Sequence, residues 1–209
     1  MGVATTSGKH YFAFSQVLKT LKLQFDSLIP EQITTYDGDL VLTTSYEVPK
    51  STKIPVLCED ILDLEPTVIG GLIIQKTGMI YYPNELLIGI DPGELIGLSI
   101  FYYGREIGHS LHTSAEDLVS YLVKIFAGLH TKKRVVKIGN GNMMLGKKII
   151  NMLNLKYCSD FEIEFVDETK TSVKIKNYNQ RGKRDMLSAK YIARRDGPRH
   201  IILPPSRVG

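Results

Sequence analysis

The chain contains little cysteine, no tryptophan and no long apolar run. Its two cysteines, Cys58 and Cys158, stand a hundred residues apart and belong to no CxxC motif or His/Cys cluster. This spacing argues against a disulfide framework and against a structural zinc site. No apolar run approaches the roughly 18 residues that a membrane-spanning helix requires. These absences favour a cytoplasmic protein that does not enter a membrane.

Two functional motifs are also missing. The first eight residues lack the basic and apolar regions of a secretory signal, and we expect this start of the chain to be disordered. No Walker A run is present, which argues against a P-loop nucleotide enzyme.

The charge is distributed unevenly along the chain. Residues 131–209 hold 18 Lys/Arg against 7 Asp/Glu, whereas residues 1–130 hold 8 against 15. Clustered cations bind polyanions because they release counterions from phosphates. The uneven charge therefore favours a nucleic-acid partner, and a solvated basic surface is the alternative that charge alone leaves open.

The first part of the chain, residues 1–83, is predicted to be a small α/β domain. Helical spacing places Val17, Leu18 and Leu21 on one face, and apolar strands are predicted within 39–44 and 53–58. Strands that alternate with helices favour a parallel sheet. The apolar run 68–74 is too short to assign to a strand or a helix, and 81–85 resembles a linker.

The second part, residues 84–209, has a clearer order of predicted elements. Three antiparallel strands come first, followed by a helix, a strand, a helix, a strand and a last helix. These elements are predicted at 86–91, 96–103, 106–111, 118–126, 134–139, 143–153, 161–168 and 183–195. Ser114 and Asp117 give an N-cap signal before the first of the helices.

Four carboxylates stand where this order of elements would bring them together. Asp91 ends a buried strand before Pro-Gly, Asp167 and Glu168 end the fifth strand, and Asp185 begins the last helix. Adjacent strand residues face opposite ways, so only one of Asp167 and Glu168 can point squarely into the site. Each acid also has an ordinary structural explanation, as a turn residue or as a helix N-terminal charge. Together they favour a catalytic or metal-binding site.

The motifs around these acids resemble the RuvC/YqgF branch of the ribonuclease H superfamily. Ile88-Gly-Ile-Asp-Pro-Gly is similar to the family's first strand, and Val136-Lys-Ile-Gly-Asn-Gly-Asn to the fourth strand of Tex-like YqgF domains. Val166-Asp-Glu-Thr-Lys-Thr-Ser-Val resembles the fifth-strand motif, and Asp185 with its trailing helix resembles the last acid. The similarity covers roughly residues 84 to 196, and it implies a ribonuclease H-like fold.

The resemblance also implies a two-metal site. Active members hold Mg²⁺ or Mn²⁺ with clustered carboxylates, so Asp91 would bridge both ions, Asp167 or Glu168 would hold one and Asp185 the other. The chain departs from the nuclease pattern at strand four, where it has Asn140 in place of a glutamate. An amide carbonyl can bind Mg²⁺ but brings no charge, and the Tex-like form is associated with binding more than with cutting.

Basic residues are predicted to surround this site and to contact phosphates of DNA or RNA. They lie before strand four, in the next helix and beside Asp185: Lys132, Lys133, Arg134, Lys147, Lys148, Arg181, Lys183 and Arg184. Two histidines near the third strand, His109 and His112, have no metal-ligand spacing and are interpreted as ordinary surface or packing residues. The sequence leaves the oligomeric state open, with a homodimer as one option.

Three functions follow from these patterns. The chain is either a metal-dependent, structure-selective endonuclease or a nucleic-acid-binding module without catalysis. An actin-like phosphotransferase ranks last, because the chain has no room for a second duplicated lobe and no adenosine motif. We rank nucleic-acid binding above cleavage.

Overall fold

The computed structural model describes residues 1–78, 84–157, 161–167 and 181–202. The chain divides into two compact units, Met1–Ile80 and Tyr81–Gly209. Much of the predicted linker, together with Glu168 and Cys158, lies outside the described residues. In the described parts of the chain, no helix is long and apolar enough to span a bilayer.

The first unit contains a four-stranded parallel sheet, as the sequence predicts. Its strands lie in the order β2 (Asp26–Leu28), β1 (Gly2–Ala4), β3 (Val41–Leu42) and β4 (Val56–Leu57). The apolar run 68–74, which the sequence leaves unassigned, lies within an eleven-residue helix that begins at Pro66, and proline is favoured at the first position of a helix. The helices of this unit are α1 (Gly8–Thr20) and α2 (Pro66–Lys76).

The expectation of a disordered start is wrong, because Gly2–Ala4 forms the inner strand β1. All three residues are buried, and β1 pairs with β2 on one side and β3 on the other. A strand of three residues is too short to show an alternating pattern, and pairing on both sides holds it in place.

Glu47 joins the loops that follow β1 and β3. Its carboxylate accepts hydrogen bonds from the backbone N–H and the hydroxyl of Thr6 at 2.7 and 2.6 Å, and from the Thr44 hydroxyl at 2.6 Å. Burial opposes ionisation, but the hydrogen bonds from Thr44, Thr5 and Thr6 lower the pKa of Glu47 to about 2. The carboxylate therefore fixes both loops at the carboxyl edge of this sheet.

The second unit is built on a six-stranded mixed sheet. Its strands lie in the order β10 (Arg199–Ile202), β9 (Phe161–Val166), β8 (Lys133–Gly139), β5 (Glu85–Pro92), β6 (Ile96–Tyr102) and β7 (Arg105–His112). The strands β5, β6 and β7 form an antiparallel meander, and β8 and β9 run parallel to β5. The helices of this unit are α3 (Ala115–Gly128), α4 (Met143–Tyr157) and α5 (Arg181–Ala193).

Helices cover both faces of this sheet. On one face, Gly146 of α4 lies against Ile138, and Phe126 of α3 contacts Phe161 with ring centroids 6.1 Å apart. On the other face α5 crosses β5 and β6. The Lys190 ammonium on α5 also pairs with Glu106 on β7 at 2.5 Å. The second unit is therefore a three-layered α/β/α arrangement.

The predicted order from the first strand to the last helix is confirmed in the second unit. Two details differ. The helix α5 begins at Arg181, so Asp185 is its fifth residue and lies beyond the first turn. The segment Arg199–Ile202, which is not among the predicted elements, forms the strand β10 antiparallel to β9.

Candidate functional site

Asp91 lies near the end of β5, at the carboxyl edge of the central parallel strands. It is half-buried and pairs with Gly97 on β6. Residues two apart on a strand share a face, so Asp91 faces the same side as Gly89. Gly89 lies directly under α5, because a Cβ at this position would be 2.1 Å from the Ala189 carbonyl oxygen. The Asp91 side chain thus points to the α5 face of the sheet.

The helix α5 brings Asp185 to the same place. A Cβ built on Gly97 would stand 2.2 Å from the Asp185 carbonyl oxygen, so only a glycine allows this approach. Cross-strand partners such as Asp91 and Gly97 have Cα atoms about 4.5–5.5 Å apart. Asp185 is half-buried, and Ala189, one turn later, is fully buried against the sheet. Two acids far apart in the sequence therefore meet on one face of β5 and β6.

The ends of β8 and β9 place two more predicted residues at this edge. Asn140 follows β8 and Asp167 follows β9, and the Asn140 amide is 3.5 Å from the Asp167 Oδ1 atom. Both side chains are exposed. The strand β8 lies between β5 and β9, so Asp167 is about two strand spacings, or roughly 10 Å, from Asp91. The structure brings Asp91 and Asp185 together, and it places Asn140 and Asp167 farther along the same edge.

The residues that the structure describes do not complete the predicted two-metal site. Within 1–78, 84–157, 161–167 and 181–202, no group of three or more His, Cys, Asp or Glu side chains has a metal-binding arrangement. Asp91 and Asp185 offer two carboxylates, whereas a pair of divalent ions is usually held by three or four.

The prediction that the basic residues all flank the Asp91 edge is wrong for Lys132, Lys133 and Arg134. They precede β8 or begin it, and Lys133 is level with Glu85 in the parallel register. Glu85 is six residues before Asp91, which corresponds to about 20 Å along a strand. Lys133 also pairs there with Glu85 and Glu162, at 3.2 and 3.4 Å.

The remaining basic residues lie nearer the Asp91 edge. Lys147 and Lys148 are exposed in the first turns of α4, on the opposite face of the sheet from α5, and Lys148 pairs with Glu116 at 2.8 Å. Arg181, Lys183 and Arg184 belong to the first turn of α5, and their side chains lie outside the described part.

Sequence reasoning missed a buried ion pair that holds the end of α5. The Lys137 ammonium lies 3.0 Å from Glu164 and 3.2 Å from Asp196, and it donates a hydrogen bond to the Arg195 carbonyl oxygen. Lys137 and Glu164 are 6% and 0% exposed. The available signal was a charge inside each of two apolar strands, Val-Val-Lys-Ile and Phe-Glu-Ile-Glu-Phe.

Comparisons with protein families, curated proteins and solved structures give similarity among the solved structures. No protein-family model matches the chain, and no curated protein matches it. Among solved structures, the chain is similar to an Argonaute from Aquifex aeolicus, with 13% sequence identity and a TM-score of 0.32. The match covers 78% of this chain and 35% of the Argonaute chain, so this chain spans about a third of that protein's length.

Proposed function

We propose that residues 84–209 form a ribonuclease H-like domain of the RuvC/YqgF type that binds DNA or RNA at the Asp91 edge of the six-stranded sheet. The observation that carries the proposal is the approach of α5 to Gly97, which puts Asp185 beside the cross-strand partner of Asp91. The strand order, an antiparallel meander beside two parallel strands, supports the same fold. The basic C-terminal part of the chain supports a polyanionic partner.

Binding is a better-supported function than cleavage. Where the nuclease pattern has a strand-four carboxylate, Asn140 presents an amide directed at Asp167. An amide brings no negative charge, so it compensates the charge of a second divalent ion less well than a carboxylate would. A nuclease that uses Mg²⁺ or Mn²⁺ is the second candidate, and it is favoured by the position of Asp185 beside Gly97, the cross-strand partner of Asp91. Its third carboxylate would come from Asp167 or Glu168.

The test combines binding and cleavage measurements on the full chain. Fluorescence anisotropy with single-stranded, duplex and four-way-branched DNA and RNA should show binding that weakens steeply between about 50 and 200 mM salt. The same substrates are then incubated with Mg²⁺ or Mn²⁺, and the products of wild type and Asp91→Asn are compared on a denaturing gel. Asp63→Asn, at an exposed acid of the first unit, is the matched control.

The outcomes separate the two candidates. Salt-sensitive binding without metal-dependent products supports the binding function, whereas products that disappear only in Asp91→Asn support the nuclease. Failure of every one of these polyanions to bind would exclude both.

A further inference from the structure

A hydrogen-bonded chain of serine, histidine and aspartate lies on the second unit, on the face of the sheet opposite Asp91. The Ser110 hydroxyl oxygen is 2.8 Å from His112 Nε2, and His112 Nδ1 is 2.7 Å from Asp117 Oδ2. A nucleophile, a base and a carboxylate that orients the base, each within hydrogen-bond reach of the next, are the geometric signature of an activated serine.

Local structure explains how these three side chains meet. Ser110 and His112 are two residues apart on β7, so they share one face of the strand. Asp117 lies in the first turn of α3, and its backbone N–H donates to the N-cap Ser114 hydroxyl at 3.1 Å. The imidazole of His112 is held in place, since the residue is 6% exposed and its ring centroid is 5.4 Å from that of Tyr121.

We propose that Ser110 is a nucleophile that cleaves carboxylic esters with small acyl groups. Ser110 Oγ attacks the ester carbonyl carbon while its proton passes to His112 Nε2, and the ester C–O bond breaks as that proton passes to the departing alkoxide. Water then attacks the acyl-serine, gives a proton to His112 Nε2, and releases the carboxylic acid as Ser110 takes the proton back. Asp117 is a positioning residue that keeps the His112 ring oriented for both transfers.

The reaction also needs a hydrogen-bond donor for the developing oxyanion, and a backbone N–H at the sheet edge can serve as that donor. In the described sheet β7 is the outermost strand, beyond β6. Backbone N–H groups of an antiparallel edge strand point alternately inward and outward, so an outward N–H belongs either to Ser110 or to Leu111. A backbone N–H beside the nucleophile is a common oxyanion donor. Gly108, two residues before Ser110 on the same face of β7, has no side chain that would cover Ser110 from that side.

This site is independent of the proposed nucleic-acid function. Ser110 and His112 pair with Leu98 and Ile96 on β6, whereas Asp91 pairs with Gly97 and faces α5. Adjacent positions on β6 face opposite ways, so the two sites open on opposite faces of the sheet.

The full chain is tested with a fluorophosphonate probe and with p-nitrophenyl acetate. Wild type should take up one probe molecule, mapped to Ser110 by peptide mass spectrometry, and should release p-nitrophenol faster than buffer does. Ser110→Ala should lose both, and His112→Gln should slow labelling at least about a hundredfold, as loss of a general base does. Ser120→Ala, at an exposed serine of α3, should label as wild type does.

The positioning role of Asp117 has its own readout. Asp117→Asn should slow labelling, and Asp117→Glu should restore part of the rate, because it returns a carboxylate to the imidazole. Thermal melting shows that each variant is folded. The proposal is overturned if wild type is not labelled or if folded Ser110→Ala is still labelled. Equal labelling rates in Asp117→Asn and Asp117→Glu would overturn the positioning role of Asp117.

Discussion

The carboxylate of Glu47 couples the stability of the first unit to pH. Its pKa is about 2 in the folded chain against an ordinary value of 4.5, so its stabilising contribution is complete above about pH 4.5 and is lost as the pH falls toward 2. Glu47→Gln should reduce the free energy of unfolding at pH 7 by about 1–2 kcal/mol, a figure discounted for solvent screening. Urea titrations of both proteins at pH 7, 4 and 3 measure this change in the free energy of unfolding.

The loss caused by Glu47→Gln should shrink as the solution becomes more acidic. Glu31→Gln, at an exposed glutamate of the same unit, is the control and should change stability little at any of these pH values. An equal loss for Glu47→Gln at every pH would contradict the assignment of this titration to Glu47.

Gly97 is the residue on which the approach of α5 to the sheet depends. In Gly97→Ala the new methyl group would stand 2.2 Å from a backbone oxygen, so either the helix or the strand must move. We expect a loss of about 1–3 kcal/mol, as is usual for overpacking, and weaker nucleic-acid binding because α5 shifts together with Arg181, Lys183 and Arg184 in its first turn. Chemical denaturation and anisotropy measure the two effects.

A matched glycine is available as a control for this substitution. A Cβ on Gly8, in α1, meets nothing within 4 Å, so Gly8→Ala should be neutral or slightly stabilising. If Gly97→Ala were equally neutral, the result would contradict the close approach of α5 to β6 at Gly97.

The end of α5 is anchored by one buried cation. In Lys137→Met, the buried Glu164 carboxylate loses the ammonium 3.0 Å away. Breaking such a pair typically costs about 3–5 kcal/mol, whereas replacing both members with apolar residues is often neutral. The double variant Lys137→Met/Glu164→Leu should therefore recover most of the loss in a urea titration. Additive losses in this double-mutant cycle would show that the two groups are not coupled.

The order of helices and strands in the second unit could be predicted because each element carries its own periodic pattern and its own end signal. Ser114, for example, caps α3 as its spacing from Asp117 predicts. The chain also shows which strand ends carry acids. The meeting of Asp185 with Asp91 depends on Gly89 and Gly97, whose role appears only when the packing of α5 is known.

Other contacts could not be predicted, because they join elements that are distant in the sequence. Lys137 and Glu164 are far apart along the chain, and their pairing follows from the parallel register of β8 and β9. The position of Lys132–Arg134 follows from the sequence alone, because residues at the start of a parallel strand lie at its amino edge. The strand β1 has too few residues for any periodic signal.

The location of the nucleic-acid surface can be tested by comparing two exposed lysines at opposite edges of the second unit. Lys147 lies in α4 near the Asp91 edge, and Lys132 precedes β8 at the far edge. Lys147→Glu should weaken binding across all sequences and lower the slope of log affinity against log salt by about one. Lys132→Glu makes the same charge change and should have the smaller effect. A larger effect of Lys132→Glu would instead place the nucleic-acid-binding surface at the amino edge of the parallel strands.

The covering of β5 and β6 by α5 also affects how the second unit is completed during synthesis. Gly89 and Gly97 contact residues from Asp185 to Ala193, close to a hundred positions later in the chain. At translation rates of about 5–20 residues per second, several seconds pass before the ribosome supplies that helix. Until then the glycine-bearing side of the meander has no cover, so the nascent chain depends on its late helix for protection from aggregation.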